Sequence, residues 1–216
     1  MDLTTFTELA KSLVVSLEIF FLTLAFSLPL GMVIAFGRLS KNKIVSAITR
    51  MYISIMRGTP LMLQLIVVYF GPYYLFRMKV SADYRFIAVI LAFSLNYAAY
   101  FAEIYRSGIQ ALPKGQLEAA QVLGYSKSQT FFHITLPQLI KQVLPAITNE
   151  IITLVKDTSL AFAIAVAEMF TMAKQLAAAQ ATIVPLMIAG LYYYLFNLLV
   201  SFVMEKIEKH YDYYSN

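Results

Sequence analysis

Long apolar runs constrain this 216-residue chain more than any motif in it. Ser12 to Gly37, Met51 to Phe76, Phe86 to Ser107, Leu139 to about Met169 and Ile183 to Met204 each reach the roughly 20 residues that a helix needs to cross a hydrocarbon core. Glu18 and Pro29 fall inside the first run without shortening it below that limit. The sequence therefore predicts an all-α integral membrane protein with five transmembrane helices. A single transmembrane domain would occupy 1–216, with its core at about 12–206. Composition agrees: mean hydropathy is +0.69, with 60% hydrophobic and 13% charged residues, which is wrong for a soluble domain of this length. Abundant aromatics such as Tyr73, Tyr74 and Tyr192 to Tyr194 suit interfacial belts.

Several chemistries are excluded. The absence of cysteine removes disulfides, thiol catalysis and cysteine-ligated metal. No paired acids have metal-ligand spacing, so no metal is expected. His133 and His210 fall in segments expected to be aqueous, which argues against an intramembrane hydrolase. The net charge of +5 comes from residues scattered along loops rather than gathered in a stripe, so nucleic acid is not an expected partner. Asp2 and Glu8 replace the basic head of a cleavable signal, so the first segment is expected to be retained.

Between the third and fourth runs lies the longest polar stretch, about 112–137. Pro113 suits the first turn of a helix, and Gly124 stands where a left-handed residue commonly ends one. Ser126 is placed to cap a second short helix over Lys127 to Phe132, which Pro137 closes. A compact helix-turn-helix outside the bilayer is expected.

Glu118-Ala119-Ala120, then Gly124 after three residues, then Ile134-x-Leu136-Pro137 after nine more, resembles the EAA loop of the membrane subunits of bacterial ATP-binding-cassette importers. The resemblance implies a cytoplasmic coupling helix between helices 3 and 4 that docks on a separate ATPase. Gly115, Glu118, Ala119, Ala120, Gly124, Ile134, Leu136 and Pro137 would carry the contact. Small side chains at Ala119, Ala120 and Gly124 leave room for a partner's backbone to approach. Further matches lie in Arg57-Gly58-Thr59-Pro60 followed by Gln64, Ala102-Glu103-Ile104-Tyr105-Arg106 through Gly115-Gln116, Leu144-Pro145, Asn149-Glu150 and Lys156-Asp157-Thr158-Ser159-Leu160. Together they are similar to the polar amino acid uptake branch of that family, from about Ser12 to Lys206. This implies a permease of the type I importer fold, assembling as a homodimer or heterodimer of permeases. Its other partners would be two ATPase subunits and an extracytoplasmic amino-acid-binding protein. The chain has no Gly-rich phosphate cradle, so it is not expected to be an enzyme or to hold a cofactor. ATP and Mg would sit on the partner ATPase.

With the polar hairpin inside, eleven of the 17 basic residues fall inside, five outside and one, Lys156, within a span. The N-terminus would lie outside and the C-terminus inside a bacterial cytoplasmic (inner) membrane, crossed several times. Arg77 and Arg85 run against the bias. No internal repeat is present and five spans do not divide into inverted halves, so a two-fold pathway needs a second subunit.

Ionisable residues at membrane depth mark candidate sites. Asn96, Tyr100 and Glu103 share one face of the third helix. Glu103 either closes an acidic pocket below them or pairs with Arg106 or Arg57. Adjacent Lys156 and Asp157 point apart, and Thr158 and Ser159 favour caps. The helix is expected to loosen here and restart at Leu160, with free N–H groups for a carboxylate; the alternative is a cap plus a bridge from Lys156 to an acid. Gln64 and Leu61 complete the wall or pack against neighbours. If Glu103 and Asp157 both face the path, one acid serves an α-ammonium and the other a cationic side chain. That favours a basic amino acid such as arginine, lysine or histidine over glutamine, glutamate or another polar one. A secondary transporter would also carry acids in the membrane, but would work without an ATPase.

Overall fold

The structure, a computed structural model, describes residues 3–79, 81 and 83–211. Met1, Asp2, Val80, Ala82 and 212–216 lie outside the described residues. Nine α-helices and no strand form among the described residues. They are α1 (Leu3–Arg38), α2 (Lys43–Gly58), α3 (Leu61–Phe76), α4 (Tyr84–Ala111), α5 (Lys114–Val122), α6 (Lys127–Thr130), α7 (Leu136–Asp157), α8 (Met169–Ala179) and α9 (Val184–Tyr211).

The centre of the fold is α4, whose buried face carries Ala88, Ala92, Ala98, Ala99 and Ala102. Small residues let helix backbones approach closely, which is what holds membrane helices together where lipid is as apolar as Leu. The long α1 crosses α4 at Gly31, where a Cβ would stand 2.8 Å from the Phe101 Cβ and 3.1 Å from the Ala98 carbonyl oxygen. On its other side α4 meets α7 at Gly108, against Leu139 and Val143. α8 and α9 close the bundle around Met169, Ala173, Ile188 and Ala189, with Leu9 of α1.

Among the described residues, three helices are long and apolar enough to span a membrane: α1 over Thr5–Arg38, α4 over Tyr84–Ala111 and α9 over Val184–Tyr211. The expected second span, Met51 to Phe76, is two helices bent by 109° at Thr59 and Pro60, and makes a fourth only if the pair counts as one. Pro60 contributes no N–H and disfavours the α region for the residue before it. Thr59 accordingly sits extended at φ −123°, ψ 147°. The fourth expected run, Leu139 to Met169, is also broken. α7 ends at Asp157, the chain tightens into a 3₁₀ stretch over Thr158–Ile164, and Ala165 turns left-handed at φ 57° before α8 begins. α7 itself carries Lys141, Glu150, Lys156 and Asp157, too polar to read as a span by length and composition.

The polar hairpin forms much as its residues predict. Gly124 takes φ +78°, and Ser126 and Gln129 make a reciprocal capping box at the start of α6. Pro137 does not close a helix. A wide π turn over Phe131–Thr135 leads without a break into α7, and Pro137 lies in the first turn of α7, where its missing N–H has no helical partner to lose.

Candidate functional site

The bend between α2 and α3 faces α4 and α7 across a cavity of about 280 Å³. Thr59, Pro60 and Leu61 line it from the bend, Asn96, Tyr97 and Tyr100 from α4, and Glu150, Thr153 and Asp157 from α7, with Leu160 just beyond. The α7 residues follow i, i+3, i+7 spacing and so share one face of that helix. Among the residues the sequence singled out, Leu61, Asn96, Tyr100 and Asp157 meet here. Tyr97 and Thr153 join them unmarked, as does Glu150, which the sequence offers only within the Asn149-Glu150 match although its same-face spacing with Asp157 is a usable signal.

Glu103 stands off the cavity. It forms a two-pronged ion pair with Arg106 one turn on, and Arg106 also reaches Gln110. Arg57 instead places its guanidinium over the Tyr100 ring, 5.2 Å from the centroid, in cation–π geometry. Gln64 is a staple rather than a wall. Its amide nitrogen donates to the Met56 carbonyl at 3.0 Å, the Thr59 carbonyl at 3.1 Å and the Thr59 hydroxyl at 2.7 Å. The Asn96 amide donates to the Gln64 side-chain oxygen at 3.0 Å and to the Met56 carbonyl at 2.9 Å. Carbonyls freed by the bend are satisfied by these two side chains.

Thr158 and Ser159 turn back on the helix, donating to the carbonyls of Val155 at 2.8 Å and Lys156 at 2.7 Å. No helix restarts at Leu160, so no fresh N–H groups point into the cavity. Asp157 finds its partner on α4, accepting from the Tyr97 hydroxyl at 2.8 Å. Lys156 is exposed, with no ion pair among the described residues. The actual restart is at Met169, capped by Glu168, a carboxyl-bearing side chain with no exposed surface. It accepts from the Phe170 and Thr171 N–H groups and the Thr171 hydroxyl, each at 2.7 Å, and from the Tyr193 hydroxyl at 3.0 Å. An acid immediately before an apolar run is the available signal, and it places the cap at Glu168, eight residues beyond the expected restart at Leu160.

At the far ends of α4 and α7 sits the hairpin. Phe36 of α1 packs edge-on against Phe131, 5.3 Å between centroids, so the end of α1 lies on the hairpin's side of the bundle. Gly115, Glu118, Ala119, Gly124 and Pro137 are exposed, Ile134 and Leu136 are half-buried. Ala120 is buried and its carbonyl accepts from Tyr125 N–H at 3.0 Å, so it shapes the hairpin from inside. The outermost apolar side chains are two the motif did not include, Val122 and Leu123, 88% and 74% exposed.

A family model described as binding-protein-dependent transport system inner membrane component matches residues 27–213. The chain belongs to this family. The permease is 38% identical over 200 residues to the arginine transport system permease protein ArtQ of Bacillus subtilis, covering 92% of this chain and 90% of that one. It is 34% identical over 202 residues to the putative glutamine transport system permease protein GlnP of Rickettsia conorii, covering 93% and 91%. Its fold matches the crystal structure of an amino acid ABC transporter with histidines at a TM-score of 0.85, 30% identity and coverage of 97% and 99%. The MetNI methionine ABC transporter in inward-facing conformation matches at a TM-score of 0.75 and 18% identity, over 98% of this chain and 99% of that one, a likeness of fold. The permease is thus a multi-pass inner-membrane subunit of an amino acid importer of type I fold. It is a transport component, in a family whose members work with an ATPase, a binding protein and a second permease.

Proposed function

We propose that this permease passes a basic amino acid through the cavity at the α2–α3 bend, driven by ATP hydrolysis on partner subunits. The observation that carries the reading is the pair of acidic side chains, Glu150 and Asp157, on one face of α7 in one cavity. One suits the α-ammonium and the other a cationic side chain, the role that sequence reasoning gave to Glu103. Asn96, Tyr97, Tyr100 and Leu61 complete the proposed wall, with Gln64 holding its bend. An arginine permease among the relatives supports the substrate class.

The proposed assembly pairs this chain with an identical or a second permease, two ATPase subunits carrying ATP and Mg, and an extracytoplasmic binding protein. In the proposed topology five segments cross the membrane, α2–α3 and α7 with its 3₁₀ extension among them, with the N-terminus outside and the hairpin and C-terminus inside. The hairpin's exposed face at Gly115, Glu118, Ala119, Val122, Leu123 and Gly124 docks on the ATPase. Ile134, Leu136 and Pro137 join it to α7. From Leu136 to Asp157, α7 is one uninterrupted helix about 31 Å long at 1.5 Å per residue. Movement at the hairpin is therefore delivered to the cavity acids along one helix, in which Pro145 removes a backbone hydrogen bond between the two.

Uptake into proteoliposomes holding the full complex tests the substrate. Glu150→Gln and Asp157→Asn are expected each to cut arginine uptake at least about tenfold, the scale of a lost hydrogen bond to a charged group, while glutamine uptake falls far less. Equal losses for both amino acids would transfer the reading to a neutral substrate.

A further inference from the structure

From Ile19 to Ala82 the sequence contains no Asp or Glu. Within that stretch Arg38, Lys41, Lys43 and Arg50 surround a cleft of about 640 Å³ at the corner where α1 turns into α2. Among the described residues none of these four is in an ion pair; Arg38 makes only a 3.3 Å hydrogen bond to the Ser46 hydroxyl. Helix α2 begins here at Lys43, its first N–H groups capped by Asn42, and its first turn has no acid. Cations at a helix N-terminus oppose the positive end of the helix dipole. Lys41 and Lys43 therefore add to a charge excess that no ion pair among the described residues relieves, and a bound anion relieves it.

The anion's chemistry is narrowed by what adjoins the cleft. Met51 and Ile55 line it, and they continue an exposed aliphatic stripe with Ile44 and Ile48, spaced i, i+4, i+7, i+11 along α2. The stripe is roughly 16 Å long at 1.5 Å per residue. The spanning segment of α1 ends at Arg38, so the cations stand where hydrocarbon gives way to headgroups. A basic corner joined to an acyl-length apolar track matches an anionic amphiphile rather than a free ion. We propose that this cleft binds the headgroup phosphate of an anionic phospholipid, with one acyl chain along Ile44, Ile48, Met51 and Ile55. The inference rests on the membrane placement of α1 and not on the substrate reading.

Native mass spectrometry of the full chain in neutral detergent, with equal phosphatidylglycerol and phosphatidylcholine, tests it. A preferred phosphatidylglycerol adduct is expected, unaffected by excess inorganic phosphate. At about fivefold in affinity per cation, the combined variant Lys41→Gln, Lys43→Gln, Arg50→Gln lowers that affinity by on the order of a hundredfold. Lys114→Gln, Lys127→Gln, Lys141→Gln, the same charge loss at the hairpin and the start of α7, retains it. Should the first variant fail to fold, Lys43→Gln alone is expected to lower affinity about fivefold. Unchanged lipid preference in folded variants overturns the site. Displacement of the lipid by inorganic phosphate overturns the lipid as occupant, and an adduct confined to monomers and lost on dimerisation assigns the α2 face to a second copy instead.

Discussion

Tyr97 donates its hydroxyl hydrogen to Asp157 at 2.8 Å across 60 positions of sequence, joining α4 to α7 at the cavity. Hydrogen bonds to ionised acceptors are roughly twice as strong as neutral ones. Tyr97→Phe should therefore lower stability by about 1.5–3 kcal/mol, and by about half as much in an Asp157→Asn background. Thermal unfolding of the four variants in detergent measures both costs. Equal costs in the two backgrounds would show that the bond is not charge-assisted.

The bend at Thr59 and Pro60 depends on side chains that repair its backbone. Gln64→Leu removes three donated bonds and one accepted from Asn96. Thr59 is exposed and the Met56 carbonyl keeps its bond from Asn96, so the cost is that of the lost bonds, about 0.5–1.5 kcal/mol each, and the 109° angle between α2 and α3 should loosen. Spin labels at exposed positions Ile48 and Val67 would report it as a broadened distance distribution. A distribution as narrow as that of the parent protein would mean Pro60 alone sets the angle.

Two glycines at helix crossings should respond differently to the same added methyl group. At Gly31 the nearest atoms are the Phe101 Cβ at 2.8 Å and backbone of Ala98 and Ala102 at 3.1 and 3.2 Å, which yield only if α1 and α4 separate. At Gly108 the shorter approaches, 2.3 and 2.7 Å, are to the ends of the Val143 and Leu139 side chains, which can rotate away. Overpacking costs typically about 1–3 kcal/mol, and Gly31→Ala should fall at the upper end with Gly108→Ala below it. The order of melting temperatures decides the point, with Gly58→Ala, which meets nothing within 4 Å, as the reference.

Gly124 turns the hairpin at φ +78° with no atom within 4 Å of a Cβ placed there. A Cβ would therefore clash with nothing, but would cost about 1–2 kcal/mol in the left-handed region. Gly124→Leu should leave the membrane helices folded while deforming the face carrying Ala119, Val122 and Leu123. In the reconstituted complex, ATP hydrolysis should lose its dependence on substrate, or the ATPase should fail to assemble. A variant with unaltered coupling would remove the hairpin from the docking surface.

Local rules account for the hairpin, because its turns depend on neighbours in sequence. Gly124 is left-handed and Ser126 caps α6 through Gln129 as their positions predict. The apolar runs likewise announced an all-helical membrane protein, since long apolar segments have few solutions in lipid. Hydropathy averages over a window, however, and so passes straight through Pro60 and Asp157. The break in the second run is invisible for that reason; the break in the fourth is legible from the capping residues Asp157, Thr158 and Ser159, but its restart at Met169 rather than Leu160 is not.

The sequence by itself determined the class of the protein, its helical membrane fold and the shape of its polar hairpin, because burial of apolar length and the chemistry of short turns are local properties. Only the tertiary structure decided which acids share a cavity. Glu103 went to Arg106 one turn along its own helix, leaving Glu150 and Asp157 to face α4. That choice depends on how α2, α4 and α7 cross, and crossing is set by contacts such as Gly31 on Phe101 and Gly108 on Val143, between residues far apart in the chain.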